Sequence, residues 1–130
     1  MTLLRRLATT AATTTLLALS TWAQALDIKP YSDAAFAEAQ KAGKPVAVHF
    51  HADWCPTCKQ QEKVLSALKA DAGLDLTVLV ADYDKEKDLK KRLKVRSQSV
   101  MVVFRGEQER ARLAGDTEAD KFRVALKAAL

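Results

Sequence analysis

The two cysteines of this chain stand three positions apart, in the segment Trp54-Cys55-Pro56-Thr57-Cys58. A disulfide that only joined these two residues would close a very small loop and would remove little entropy from the unfolded chain. Small secreted domains that depend on disulfides for stability usually carry about four or more cysteines. The pair is therefore better suited to chemistry in which a disulfide is made and broken by exchange with other thiols.

A helix that begins at this pair would make the first thiol unusually acidic. Pro56 suits the first helical turn, where its missing N–H costs nothing, and apolar residues recur at helical spacing between positions 59 and 70. Free N–H groups and the dipole at a helix N-terminus stabilise an anion, so the pKa of the Cys55 thiol should fall. Cys58 should be the more buried thiol. Cys55 is thus predicted to attack partner disulfides and Cys58 to resolve the mixed disulfide, with Trp54 as an apolar platform.

The rest of the chain alternates between helical and strand patterns. The predicted elements are a helix over 34–42, a strand over 46–51, a helix from the cysteines to 70, a strand over 74–81, a helix over 84–94, a strand over 100–104, an edge strand over 109–113 and a last helix after 115. Such an alternation, followed by a hairpin, predicts an α/β fold. Its mixed sheet should have about four strands, with helices on both faces.

Residues 1–25 have the pattern of a secretory signal peptide. Arg5 and Arg6 precede an uncharged stretch that ends in Ala23-Gln24-Ala25, a small-residue cleavage motif. Cleavage after Ala25 would leave residues 26–130 as a single exported domain in the periplasm. The alternative is a retained membrane anchor, for which the stretch is only marginally long against the span of about 20 residues that a bilayer needs.

The charge of the chain gives little support to a nucleic-acid partner. Two of the 21 basic residues lie in the predicted leader, which leaves 19 against 16 acidic residues and a net charge of about +3. The densest basic run, over 85–96, also contains Glu86 and Asp88 and has no aromatic residue. It is typical of the solvated outer face of a helix.

The segment from Lys44 to Lys59 resembles the active-site strand and helix of the thioredoxin-like family. It is especially similar to periplasmic members and to the carboxy-terminal domain of transmembrane disulfide reductases, and the similarity continues through most of residues 26–130. The resemblance implies a thioredoxin fold, dithiol/disulfide exchange with protein substrates, no cofactor, and Cys55 as the exposed nucleophile. It also favours a reductase or isomerase supplied with electrons by a membrane-bound partner, and a monomer.

Three positions depart from the family pattern. Ser99 stands where the family has a cis-proline, and because a non-proline residue pays about 2.5–4 kcal/mol for the cis form, the loop should be trans or strained. Since that loop binds substrate in the family, Ser99 is predicted to contact substrate together with Trp54 and Pro56. His49 replaces the family's buried acid, and Val80 its lysine partner. The joint loss avoids an unpaired buried lysine.

His49 and His51 should share one face of their strand, because side chains alternate along it. They are either hydrogen-bonded structural histidines, or His49 accepts the proton of Cys58, a task suited to an imidazole near neutral pKa. His51 is expected to pack.

Two other classes of function remain open from the residues. His49, His51, Cys55 and Cys58 together could bind Zn²⁺ or copper. Alternatively, the altered loop at Ser99 could belong to a redox-inert binding module that keeps the fold.

Overall fold

The computed structural model describes residues 25–130. They form a mixed five-stranded sheet with helices on both faces. The elements are β1 (Asp27–Pro30), α1 (Asp33–Lys41), β2 (Pro45–His51), α2 (Pro56–Leu68), β3 (Thr77–Asp82), α3 (Lys87–Arg92), β4 (Val100–Arg105), β5 (Gln108–Ala114) and α4 (Ala119–Lys127). The strand order is β1-β3-β2-β4-β5. Both β1 and β2 run parallel to β3, while β4 is antiparallel to β2 and to β5.

The predicted α/β thioredoxin fold is confirmed, and the predicted count of about four strands is one too low. The strand that was missed is β1, whose four residues include one apolar side chain that could signal a strand, Ile28. Pairing with the open edge of β3, with Ile28 opposite Val78, makes this segment a strand.

Two elements begin three residues later than predicted. The strand predicted over 74–81 begins only at Thr77, and Leu74 and Leu76 are buried in the irregular segment between the preceding turn and the strand. The helix predicted from 84 begins only at Lys87, because the Asp82 carboxylate accepts the N–H groups of Asp84 and Lys85 and holds a turn there.

The central strand β2 distributes its side chains between two cores. Val46, Val48 and Phe50 lie in the core beneath α1 and α3, whereas Ala47 lies in the core beneath α2 and α4. Because side chains alternate along a strand, His49 falls on the α2 side. The sheet thus brings the middle of β2 against the helix that starts at the cysteines.

The predicted leader and its cleavage motif lie outside the described residues, apart from Ala25. Within residues 25–130, none of the helices has both the length and the apolar character that a bilayer crossing requires.

Candidate active site

Cys55 lies at the N-cap of α2, as the sequence predicted. Its backbone is extended, with φ −92° and ψ 112°, and Pro56 occupies the first turn of the helix. The backbone N–H of Cys58 donates a hydrogen bond to Cys55 Sγ at 3.1 Å. The sulfur therefore takes the place that a serine or aspartate oxygen takes at most helix N-termini, and it satisfies an N–H group that the helix leaves free.

The hydroxyl of Ser99 bridges the two sulfurs. Its Oγ lies 3.1 Å from Cys55 Sγ and 3.1 Å from Cys58 Sγ. The peptide bonds of the described part of the chain are all trans, and Ser99 has a φ of 63°. This left-handed conformation is strained for a residue with a side chain, at a cost of about 1–3 kcal/mol.

Both the backbone N–H and the backbone carbonyl of Ser99 make hydrogen bonds. Its N–H donates to the carbonyl of Phe50 at 3.1 Å, and its carbonyl accepts the N–H of Gly115 at 2.9 Å. Its carbonyl also accepts the side-chain amide of Gln61 at 3.0 Å. A proline could not make the bond to Phe50, because it has no N–H. The substitution of serine therefore changes how the loop is attached to β2.

The two thiols differ in acidity. Burial by itself raises the pKa of the Cys55 thiol, but hydrogen bonds from the Cys58 thiol, the Ser99 hydroxyl and the backbone N–H groups of Cys58 and Thr57 outweigh it, so the pKa falls below its ordinary value. For Cys58, burial and the hydrogen bond with Cys55 raise the pKa above its ordinary value, and the Ser99 hydroxyl only partly opposes them. Cys55 is thus the sulfur that ionises first.

Both sulfurs are buried, which differs from the exposed Cys55 that the family resemblance implied. The exposed fraction is 1% for Cys55 and 0% for Cys58. Ala52 and the ring of Tyr83 pack against the pair, and Ser99, itself 3% exposed, closes the other side. In this dithiol form, a substrate disulfide reaches Cys55 only after a movement of the sulfur or its cover.

The three predicted substrate-contact residues differ in exposure: Trp54 and Pro56 are exposed, and Ser99 is buried. Trp54 is 59% exposed, and its Nε1–H donates to Asp84 Oδ2 at 2.8 Å, which holds the indole beside the cysteine pair. Pro56 is exposed at the start of α2. Ser99 is buried with its side chain on the sulfurs. Substrate contact by these three residues remains a prediction.

His49 and a residue that the sequence analysis missed, Gln61, form a buried pair. Nε2 of His49 lies 2.8 Å from Oε1 of Gln61, and Gln61 Nε2 donates to the carbonyls of Ser99 and Asp116. The hydrogen bonds of Cys58 Sγ go instead to Ser99, to Cys55 and to the carbonyl of Phe50. The available signal was a polar residue one turn after Cys58 on the inward face of α2, where an apolar residue would be expected.

Burial is the main reason that the pKa of His49 lies below its ordinary value. The hydrogen bond with Gln61 raises the pKa, the neighbouring His51 lowers it and Glu62 raises it, but desolvation dominates. An imidazole in this environment is neutral around pH 7. It can act as a hydrogen-bond donor to Gln61 without burying a charge.

The four residues of the alternative metal site are not brought together. The rings of His49 and His51 are 6.0 Å apart, and His51 Nε2 lies 3.3 Å from the carboxylate of Asp53. Both imidazoles line a cavity of about 180 Å³, which also borders Glu62 and Val80. Within residues 25–130, no group of three or more histidine, cysteine, aspartate or glutamate side chains is arranged to hold a metal ion.

Comparison with known proteins agrees with this geometry. The family model of thioredoxin matches residues 27–128. A thioredoxin of Mycobacterium tuberculosis is 33% identical over 85 residues, which cover 65% of this chain and 73% of that protein. The thiol:disulfide interchange protein DsbD of Ralstonia nicotianae is 31% identical over 106 residues, covering 75% of this chain but only 17% of that longer protein.

A solved structure gives the same result at the level of the fold. Trxlp from Edwardsiella tarda superimposes with a TM-score of 0.72 at 40% sequence identity, covering 77% of this chain and 98% of that one. The match to the family model extends over nearly the whole described domain and includes the helix that begins at the cysteines. The chain therefore belongs to the thioredoxin family and is a thioredoxin-like thiol–disulfide oxidoreductase whose redox pair is Cys55 and Cys58.

Proposed function

We propose that this protein works in the periplasm, where Cys55 and Cys58 reduce or isomerise disulfides of protein substrates with electrons from a membrane-bound donor. The observation that carries the proposal is the difference between the sulfurs, since the pKa of Cys55 is lowered and that of Cys58 is raised. The thiolate is the form of cysteine that attacks a disulfide. Cys55 is therefore the nucleophile, and Cys58 resolves.

The exchange runs in two balanced steps. The Cys55 thiolate attacks one sulfur of the substrate disulfide, forming a mixed disulfide and releasing the other substrate sulfur as a thiolate. Cys58 then attacks Cys55 Sγ and gives up its proton, which the released substrate thiolate takes up. The bond between Cys55 and the substrate breaks, its electron pair leaves with the second substrate sulfur, and the protein is left with the Cys55–Cys58 disulfide.

The acidity of Cys55 is the first part to test. Titration of the ultraviolet absorbance of the thiolate should give an apparent pKa below the value of about 8.5 for a free cysteine. The same titration of Cys55→Ser should show only the later ionisation of Cys58. An apparent pKa at or above the free value, together with a pair that never forms a disulfide, would contradict the proposal.

The reducing direction is supported by the similarity to DsbD proteins, which extends over 75% of this chain in one case. The hydrogen bonds to Cys55 favour the oxidising direction instead, because they stabilise the reduced form and so make the dithiol couple more oxidising. The reduction potential, measured by equilibration with glutathione, decides between the reducing and the oxidising direction. We expect a potential nearer to about −270 mV, as in thioredoxin, than to about −120 mV, as in a strong oxidant. A value near the second would reverse the direction and leave the chemistry unchanged.

Export is supported by the pattern of the first 25 residues and by the position of Leu26. This residue, which would become the first of the mature protein, is 3% exposed and packs in the core beneath α2 and α4. Cleavage after Ala25 would thus keep Leu26 and the rest of the core that residues 26–130 form. The mass of the protein recovered from a periplasmic fraction should correspond to a start at Leu26. Full-length protein in the membrane fraction would instead favour a retained anchor.

Turnover distinguishes this proposal from the redox-inert binding module. The reduced protein should reduce the disulfides of insulin, and a reduced test protein should be reoxidised by the disulfide form. Activity in neither direction would support the inert module.

A further inference from the structure

We propose that Ser99 is a catalytic residue, whose hydroxyl passes a proton from Cys58 to the substrate thiolate that leaves Cys55 when the internal disulfide forms. The inference rests on the proposed roles of Cys55 in attack and Cys58 in resolution. Its basis is geometric, since Ser99 Oγ contacts both sulfurs at 3.1 Å and all three groups are buried. Ser99 thus touches the reacting atoms.

A hydroxyl in this position can carry a proton in only one direction at a time. It has one proton to donate and lone pairs with which to accept. When Cys55 is a thiolate, the Ser99 O–H donates to Cys55 Sγ. The single Cys58 S–H can point to Cys55 Sγ, to the Phe50 carbonyl or to Ser99 Oγ, and the last of these arrangements is the one that leads to transfer. The three atoms then form one chain from the proton source to the anion.

In the mixed disulfide, the substrate sulfur is bonded to the sulfur that Ser99 already contacts. In-line displacement places the leaving sulfur opposite Cys58, about 2 Å beyond Cys55 Sγ, so the Ser99 hydroxyl has to turn towards that sulfur as its bond to Cys55 breaks. As Cys58 Sγ forms its bond to Cys55 Sγ, it gives its proton to Ser99 Oγ. The bond from Cys55 to the substrate breaks, its electron pair goes to the substrate sulfur, and that sulfur takes the original Ser99 proton. The products are the internal disulfide, a neutral substrate thiol and an unchanged serine.

The titratable groups around the pair have other partners. From β2, His49 directs its Nε2 to Gln61. From the segment after β3, Tyr83 packs against the pair but donates its hydroxyl to a backbone carbonyl. From the connection between β5 and α4, Asp116 presents its carbonyl to Gln61 and pairs its carboxylate with Lys121. On α2 itself, Lys59 and Glu62 are exposed.

Gln61 is the residue that positions Ser99. Its amide N–H groups donate to the carbonyls of Ser99 and Asp116 at 3.0 and 2.8 Å, while its oxygen faces His49. Gln61 is fully buried, so these bonds would be costly to lose. They tie α2 to the loop in which Ser99 adopts its left-handed conformation, and so hold the hydroxyl between the sulfurs.

The test separates the two steps of exchange with two substrates. Dithiobis(nitrobenzoate) releases a weakly basic aromatic thiolate that gains little from a proton, whereas glutathione disulfide releases a more basic alkyl thiolate whose departure a proton donor assists. Rapid mixing, acid quenching and mass measurement would follow attack and resolution separately. Ser99→Gly removes the hydroxyl and accepts the φ of 63° without strain. Ser97→Gly, at an exposed position of the same loop, is the matched control.

We expect Ser99→Gly to slow resolution of the glutathione mixed disulfide at neutral pH by at least about tenfold. The remaining rate should rise in proportion to hydroxide concentration, while resolution of the nitrobenzoate mixed disulfide should change far less. Equal slowing with both substrates, or no slowing beyond that of Ser97→Gly, would overturn the shuttle. Ser99→Ala should repeat the selective defect and serves if the glycine variant does not fold.

Two further results complete the test. Gln61→Met should slow resolution less than Ser99→Gly does, with the same selectivity for the glutathione mixed disulfide and the same dependence on pH. A loss of stability without that selectivity would overturn the positioning role. If the wild-type protein itself attacks neither substrate, the proposed roles of the cysteines fail, and this outcome is distinct from a Ser99→Gly variant that attacks and resolves normally.

Discussion

Nε2 of His49 and Oε1 of Gln61 lie 2.8 Å apart. This contact fixes which ring nitrogen of His49 carries the proton. The amide nitrogen of Gln61 already donates to the carbonyls of Ser99 and Asp116, so only its oxygen can face the ring. His49 therefore carries its proton on Nε2 and, when neutral, accepts only at Nδ1. The predicted role of His49 as the base for Cys58 would have to be carried out by Nδ1.

The buried His49 should make stability depend on pH. Because burial lowers the pKa of His49, the unfolded chain binds more protons than the folded one between the lowered pKa and about 6.5. The free energy of unfolding should be highest above pH of about 6.5 and should fall as the pH drops toward the lowered pKa. Urea unfolding over a pH series would measure this.

The matched variant for this prediction is His49→Gln, which keeps a hydrogen-bond donor for Gln61 but does not titrate. Its free energy of unfolding should decline less steeply on acidification than that of the wild type. Parallel pH curves for the two proteins would show that His49 does not contribute to the acid sensitivity.

The proposed roles of the two cysteines predict opposite phenotypes for two serine variants. Cys55→Ser should abolish exchange, because the sulfur with the lowered pKa is lost. Cys58→Ser should still attack but should stall as a mixed disulfide, because the resolving sulfur is absent. Incubation of Cys58→Ser with a periplasmic extract and non-reducing electrophoresis would show the trapped substrate. Capture by Cys55→Ser instead, or by neither variant, would contradict the assigned roles.

The hydrogen bond from Trp54 to Asp84 should matter for protein substrates. It holds an indole that is 59% exposed beside the redox pair. Loss of one such bond is worth about 1 kcal/mol, so Asp84→Ala should lower kcat/KM for insulin reduction by about fivefold and leave the reaction with a small aromatic disulfide nearly unchanged. Asp88→Ala, which removes one exposed negative charge from α3, is the control. Equal effects of both variants would indicate a general effect of charge.

Restoring the family's proline at position 99 should destabilise this protein. Proline requires a φ near −65°, whereas Ser99 has a φ of 63° and donates its N–H to the carbonyl of Phe50. Ser99→Pro should therefore lower the free energy of unfolding by about 1–3 kcal/mol, the cost of a lost buried hydrogen bond. Ser99→Gly loses the hydroxyl but keeps the N–H and the conformation, so it should lose less stability than Ser99→Pro. Urea unfolding of both variants and the wild type would measure these free energies. An unchanged free energy of unfolding for Ser99→Pro would show that the loop rearranges freely.

Local patterns in the sequence were sufficient for the redox pair and most of the fold. Pro56 and the apolar spacing after it predicted a helix that begins at Cys55, and the structure confirms it. The strand patterns over 46–51, 74–81 and 100–104 predicted the strands that the structure shows as β2, β3 and β4. These features are local, because each depends on neighbours within one or two turns or on alternation along one strand. The predicted leader remains untested by the described residues.

Other features depend on residues that are distant in sequence. β1 is a strand because the edge of β3 is open to it. Ser99 reaches the sulfurs, and Gln61 reaches both Ser99 and His49, only because the sheet order brings α2, β2 and the loop before β4 together. The burial of Cys55 has the same origin. The sequence by itself determined which residues could carry the redox chemistry. The tertiary structure decided which groups surround them, since hydrogen bonds between separate elements exist only once the chain has packed.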